Sequence, residues 1–152
     1  MEHELDRCFF VIHRFRHAFL RERFSGLDLE IRLLPLIMLL SRREGIRQED
    51  LSAHTGLDKT TVAHAVKRLV QLGYVSRERN PEDRRCYQLT LTTRGKDLVP
   101  QVRNAMQDWH AGVLAPFSEE EREMLEGLLS RMAEGAGAMV GRSRDTYGPS
   151  GC

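Results

Sequence analysis

A short helix, a turn, a second helix and a charged β-hairpin follow one another between Gly45 and Gly95 with almost no linker, and amphipathic helical segments flank them on both sides. Together these observations predict a mainly α fold with a small β-hairpin wing: a winged helix-turn-helix core with additional helices at the N- and C-terminal ends. A chain of 152 residues is long enough to bury one real core and reads as a single domain over residues 1–140.

Each element has its own signal. Leu5, Cys8, Phe9, Ile12, Phe15, Phe19 and Leu20 recur at helical spacing, which gives an amphipathic helix over residues 4–24. Ile31 to Ser41 is nearly all apolar and reads as the helix buried beneath the motif, with Pro35 either in its first turn or at a kink. Gln48 to Thr55 forms the first helix of the motif and stops at Gly56, a residue that tolerates the left-handed conformation a helix end needs. Asp58 is placed to cap a second helix from Lys59 to Leu72, in which Val62, Val66, Leu69 and Val70 form the inward stripe. Tyr74–Arg79 and Cys86–Leu91 alternate in part, and Asn80-Pro81-Glu82-Asp83-Arg84-Arg85 between them is turn chemistry. A long helix then starts near Thr92 or Thr93 and carries Leu98, Val102, Met106, Trp109 and Val113, with a kink expected at Pro100. Ser118 followed by Glu121 is a capping box for a last helix with Met124, Leu125, Leu128, Leu129 and Met132 on one side. Residues 141–152, rich in glycine, serine and charge, read as a disordered tail.

The second helix of the motif turns Lys59, Thr60, Ala63, His64, Lys67 and Gln71 outward, with no carboxylate after the cap. Such a basic, hydrogen-bonding face suits a DNA major groove, where an α-helix fits and where base edges and phosphates are in reach. A polar outer face is also what any solvated helix shows, so the hairpin carries the distinction. Arg84 and Arg85 would project from its tip, where a guanidinium enters a minor groove or grips phosphates. Asp83 is near enough in sequence to pair with one of these arginines.

These residues carry a resemblance. Gln48 to Leu51, Gly56-Leu57-Asp58-Lys59-Thr60-Thr61-Val62, Leu69 to Val75, Asp83-Arg84-Arg85 and Leu91-Thr92-Thr93-Arg94-Gly95 resemble the multiple-antibiotic-resistance regulator (MarR) family. The Asp-x-Arg wing followed by Leu-Thr-x-x-Gly is the most specific part, and the resemblance extends over roughly residues 4–140. It implies a homodimeric transcriptional regulator, usually a repressor, that binds double-stranded DNA at a pseudo-palindromic operator and is often released by a small ligand or an oxidant. The winged helix is then residues 45–95, with dimerisation helices over 4–24 and 93–140. Lys59, Thr60, Thr61, His64 and Lys67 fall on the family's recognition helix, Asp83 and Arg85 on its wing signature, and Gln48 and Arg84 complete the candidate DNA contacts. Position 58 often holds Ser in such proteins; Asp caps equally well but sets a carboxylate near DNA. The apolar faces of the terminal helices read as interdigitating between subunits, against the alternative of an intramolecular bundle.

The same resemblance implies a ligand pocket where the dimerisation helices meet the DNA-binding lobe. His13, Arg16 and His17 would offer charge and hydrogen bonds to a small aromatic or anionic effector, with Trp109 as a wall. Cys8 has two readings. One is a thiol-based peroxide sensor, as in the hydroperoxide branch of the family, although Arg7 does not face it on a helix and the tyrosines stand only at 74, 87 and 147. The other, which we favour, is a small apolar residue buried in the stripe with Phe9 and Ile12.

Composition narrows the rest. Cysteines at 8, 86 and 152 have no Cys-x-x-Cys spacing, so neither a disulfide framework nor a metal site is indicated, and no cofactor is expected. No stretch approaches the roughly 18 apolar residues of a membrane span, and the acidic start Met-Glu-His-Glu-Leu-Asp is unlike a signal peptide, which suggests a cytoplasmic protein. The net charge of +1 argues against a general nucleic-acid coat; from Arg47 through Asp97, ten Lys or Arg stand against seven Asp or Glu, about +3. No Gly-rich phosphate loop, Gly-x-Ser-x-Gly elbow or His-Glu-x-x-His motif supports an enzyme, and Glu119 to Glu123 suits a helix start. A winged-helix module that binds only proteins is the further alternative, and it gives Arg84 and Arg85 no task.

Overall fold

The computed structural model describes residues 2–139 and Gly141, with the backbone alone at Glu2 and His3. Helix α1 spans Glu2–Arg23, a 3-10 turn covers Ile31–Leu33, and α2 spans Leu34–Arg42. Strand β1 is Ile46–Arg47, a second 3-10 turn is Gln48–Asp50, α3 is Leu51–Thr55 and α4 is Lys59–Gln71. The hairpin is β2, Val75–Arg79, and β3, Tyr87–Leu91; α5 runs Thr93–Leu114 and α6 runs Glu119–Met139. The fold is mainly helical with a small antiparallel sheet, as the sequence predicts. Beyond Gly141 the tail lies outside the described residues.

Helix α2 is the centre of the core. Leu36, Ile37 and Leu40 are buried along it, and they pack with Leu51 of α3, Val62, Val66 and Leu69 of α4, and Leu98 and Val102 of α5. Each such side chain removed from water contributes roughly 1.5–3 kcal/mol, so the stripe of α4 and the first half of α5 anchor the motif on α2 together. Pro35 lies in the first turn of α2, where its missing N–H has no intrahelical partner to lose. Pro100 is exposed inside α5, and the helix continues past it to Leu114.

The sheet has the order β1-β3-β2. Val75 faces Leu91 and Arg79 faces Tyr87 across the hairpin, while Ile46 faces Leu89 on the other side of β3. Strand β1 has no counterpart in the sequence reading, because two residues are too few for any alternation. The first helix of the motif is also shorter than expected: Gln48–Asp50 is 3-10, and α-helical geometry starts only at Leu51. Gly56 closes α3 in the left-handed region at φ 72°, with its N–H on the Ser52 carbonyl.

Two expectations about burial change. Val70 is 38% exposed, so it edges the α4 stripe instead of joining it. The terminal helices leave their apolar faces open: Leu5, Phe9, Ile12 and Phe15 of α1 and Met124, Leu128, Leu129 and Met132 of α6 are all exposed, and α6 has no buried residue among those described. Among the described residues nothing covers them.

Candidate nucleic-acid interface and effector cavity

Asp58 sets the start of α4. Its carboxylate accepts from the Thr61 backbone N–H at 2.9 Å and from the Thr61 hydroxyl at 2.6 Å. These bonds, the hydroxyl first and the backbone N–H next, hold the Asp58 carboxyl below the ordinary carboxylate range. Thr61 therefore serves the cap with its hydroxyl proton, although sequence placed it among the groove contacts. Lys59, Thr60, His64 and Lys67 are exposed, and none of their side chains has a hydrogen-bond or ion-pair partner among the described residues.

The wing tip is a built turn. Asn80 donates its N–H to the Cys86 carbonyl at 2.9 Å, the Glu82 N–H donates to the Asn80 side chain at 2.8 Å, and the Arg85 N–H donates to the Asp83 carboxylate at 3.0 Å. Asp83 thus holds the backbone of Arg85 rather than an arginine guanidinium, a correction to the expected ion pair. A local Asx-type bond is shorter and less costly in side-chain entropy than ordering two long chains. Arg84 and Arg85 are both exposed, with guanidinium groups that have no partner among the described residues.

Sequence reasoning missed three residues at the wing base. The Arg77 guanidinium lies 3.7 Å from the Tyr87 ring centroid, a diagonal contact across the β2–β3 pair that the register makes available. The Cys86 thiol donates to Glu49 at 3.3 Å and faces Asp83 at 3.5 Å. Its pKa is pushed up, by the Glu49 hydrogen bond first and then by burial and Asp83, so it works as a neutral donor tying the wing to the motif. Arg47 pairs with Glu49 at 3.3 Å and Asp50 at 3.0 Å. Between wing base and α4 lies a cleft of about 240 Å³ whose wall includes Gln48, Lys59, Arg77 and Arg85. The Gln48 side-chain oxygen is buried without a partner, so this residue, expected as a groove contact, has its acceptor turned inward.

Behind α5, the wing is clamped. The Thr92 hydroxyl donates to the Gly73 carbonyl at 2.6 Å and accepts from the Gly95 N–H at 3.1 Å, and Arg94 donates to the Leu72 carbonyl at 2.8 Å.

A second cavity, about 550 Å³, opens between α1, α2 and α5. His13, Arg16 and His17 line it, joined by Arg32 and Arg42 and by apolar Met38 and Met106; no carboxylate is among its lining residues. Trp109 is not in that wall. Its ring packs at 46° on Phe19 with centroids 5.5 Å apart, further along α5. Cys8 is exposed, not buried as favoured from the sequence, because nothing among the described residues covers the N-terminal half of α1.

A three-stranded wing beside a helix-turn-helix whose second helix is exposed, basic and capped defines the winged-helix class of DNA-binding transcriptional regulators. The MarR family model matches residues 30–87. The crystal structure of MarR superposes with a TM-score of 0.80 at 30% identity, over 90% of this chain and 93% of that one. The chain belongs to the MarR family. A mutant MarR from E. coli complexed with operator DNA superposes at TM-score 0.75 and 25% identity, over 85% and 93% of the two chains. Among relatives, the HTH-type transcriptional regulator BilQ of Clostridium symbiosum is 27% identical over 116 residues, which is 76% of this chain and 81% of that protein. No helix among the described residues is long and apolar enough to cross a membrane.

Proposed function

We propose that this regulator acts as a homodimer that represses transcription from a pseudo-palindromic operator and lets go of DNA when a small anionic aromatic molecule fills the cavity beside α1. It works in the cytoplasm, where its DNA is. Two copies of α4 enter successive major grooves, about 34 to 36 Å apart, with the wings flanking in minor grooves. Lys59, Thr60, His64 and Lys67 meet the major groove, and Arg84 and Arg85 reach from the wing. Thr61, Asp83 and Gln48 position these groups through the cap, the wing turn and the cleft wall. The observation that carries the reading is the pair of unpartnered arginines on an ordered turn, next to a helix whose outward cations are equally unpartnered.

The exposed faces of α1 and α6 support the dimer, since an exposed apolar stripe on each of two helices marks an association surface. Over residues 1–140 the domain then divides into the reading unit, 45–95, and the dimerising helices, 4–24 and 93–140. The arginine- and histidine-lined cavity, with no carboxylate in its wall, supports an anionic effector.

The test is fluorescence anisotropy of the purified protein on duplex DNA from upstream of its own gene, against a scrambled duplex at about 150 mM salt. Specific binding some thousand-fold above the scramble supports the reading. Equal weak binding to several upstream duplexes and their scrambles refutes it.

A further inference from the structure

Arg32 borders more than one compartment. Its side chain stands in the wall of the 550 Å³ cavity, and it also borders the groove along α4 formed by Glu30, Thr61, His64, Lys67 and Arg68. Glu30 bridges across this border: one carboxylate oxygen accepts from Arg32 Nε at 2.5 Å, and the other lies 3.7 Å from Arg68 Nε near the end of α4. Arg68 also meets Asp28 at 3.2 Å. Two arginines and two carboxylates therefore balance one another between the cavity and the DNA-facing helix. The Arg32 side chain is 75% exposed, so no packing holds it on Glu30.

We infer that Arg32 and Glu30 form the link by which an aromatic carboxylate in the cavity weakens DNA binding. This rests on the effector reading above. An incoming carboxylate competes with Glu30 for the Arg32 guanidinium, which stands in the cavity wall. Glu30, released, presents its full negative charge to the α4 side of the border, beside Lys67, His64 and Arg68. That charge opposes phosphate approach and draws Arg68 toward the protein. By linkage, bound DNA disfavours the anion by the same factor. The pairs are solvent-exposed, so the effect is modest and fades at high salt.

The experiment is a double-mutant cycle on the full-length protein. Operator affinity is measured for wild type, Arg32→Ala, Glu30→Gln and the double variant, on the tightest duplex recovered from a randomised pool. Benzoate is the probe anion and benzamide its neutral counterpart, with calorimetry for their binding to free protein. Arg32→Ala alone, which frees Glu30 as the anion does, weakens DNA binding by about two- to fivefold, the size of exposed charge effects. Glu30→Gln restores it in the double variant. Benzoate, unlike benzamide, weakens DNA binding by wild type and does so less in the Glu30→Gln variant; an equal loss in both overturns the link. Additive losses, or an Arg32→Ala variant with wild-type affinity, overturn the link. Benzoate that binds wild type by calorimetry and leaves DNA affinity unchanged also overturns it, while keeping the cavity as a ligand site. A cycle that shows rescue with no benzoate binding supports the charge bridge and overturns the effector reading instead.

Discussion

Replacing Gly95 by alanine would put a methyl carbon 2.2 Å from the Tyr74 carbonyl oxygen and 3.1 Å from Leu91 Cδ2. An ordinary contact needs about 3.4 Å or more, so the first turn of α5 and the entry to β2 must separate by roughly 1 Å. That gap would break the bond from the Thr92 N–H to the Tyr74 carbonyl, now 3.1 Å, in a region where Tyr74 itself is buried. Overpacking of this kind costs about 1–3 kcal/mol. A strained or lost buried hydrogen bond adds about 1–3 kcal/mol, and the better helix propensity of alanine returns about 1. The net destabilisation is about 1–5 kcal/mol. At 2–4 °C per kcal/mol for a chain of this size, the melting temperature falls by about 2–20 °C. The control is Gly112→Ala in the same helix, where an added Cβ meets nothing within 4 Å and should be neutral or slightly stabilising. Circular-dichroism melts at equal protein concentration, which dimeric proteins require, decide the matter. Equal melting temperatures for the two variants would refute the close-approach argument.

Four further outcomes follow from the site. Arg85→Ala weakens operator binding by about 1–3 kcal/mol and lowers discrimination, whereas Lys67→Ala weakens specific and scrambled duplexes alike, as read by anisotropy. Asp58→Ala lowers the melting temperature at neutral pH, and the deficit shrinks in acid: a carboxyl held below its unfolded pKa contributes above that pKa and stops contributing once pH falls through the lowered value. Cys86, with its thiol pushed up, reacts with iodoacetamide more slowly than a free thiol near pH 8, and Glu49→Gln speeds it, followed by mass spectrometry. Leu128→Glu, on the open face of α6, shifts the protein from dimer to monomer in sedimentation, while an unchanged sedimentation coefficient removes α6 from the interface.

What could be read in advance was what depends on near neighbours in sequence. The Asp58 cap and the reciprocal bonds of Ser118 and Glu121, at 3.3 and 2.8 Å, are three-residue patterns, and both occur as their spacing foretold. Strand β1 was invisible because its identity comes from pairing with Leu89, 43 residues on from Ile46, not from its two residues. Val70 misled because it sits roughly 70° around the helix from the centre of the Val62, Val66 and Leu69 stripe, where the apolar face gives way to solvent. Trp109 shares a face of α5 with Val102 and Met106, and the resemblance put it in the pocket wall, yet it stands far enough along to meet Phe19 first. Asp83 and Gln48 show the other limit: the sequence names a polar side chain, while the turn or cleft around it decides which way its acceptor points.

The clamp between the end of α4 and the start of α5 would give a ligand in the cavity beside α1 its mechanical reach. Leu72 and Gly73 end the reading helix, and both of their carbonyls are held by the first residues of α5, through Arg94 and Thr92. Helix α4, the sheet and the start of α5 are therefore joined by polar contacts as well as by the core around Leu69 and Leu98. The same α5 continues without interruption to Val102 and Met106 in the cavity wall and on toward the open apolar faces. A helix cannot tilt at one end while both of its halves stay packed. In the proposed dimer, a ligand that spreads α1 from α5 would thus change the separation of the two reading helices, even without contact to either. Charge at Glu30 and tilt of α5 are separable contributions, because salt screens the first and leaves the second. Release by benzoate that persists undiminished at high salt, measured relative to affinity at that salt, would assign the response to the helix.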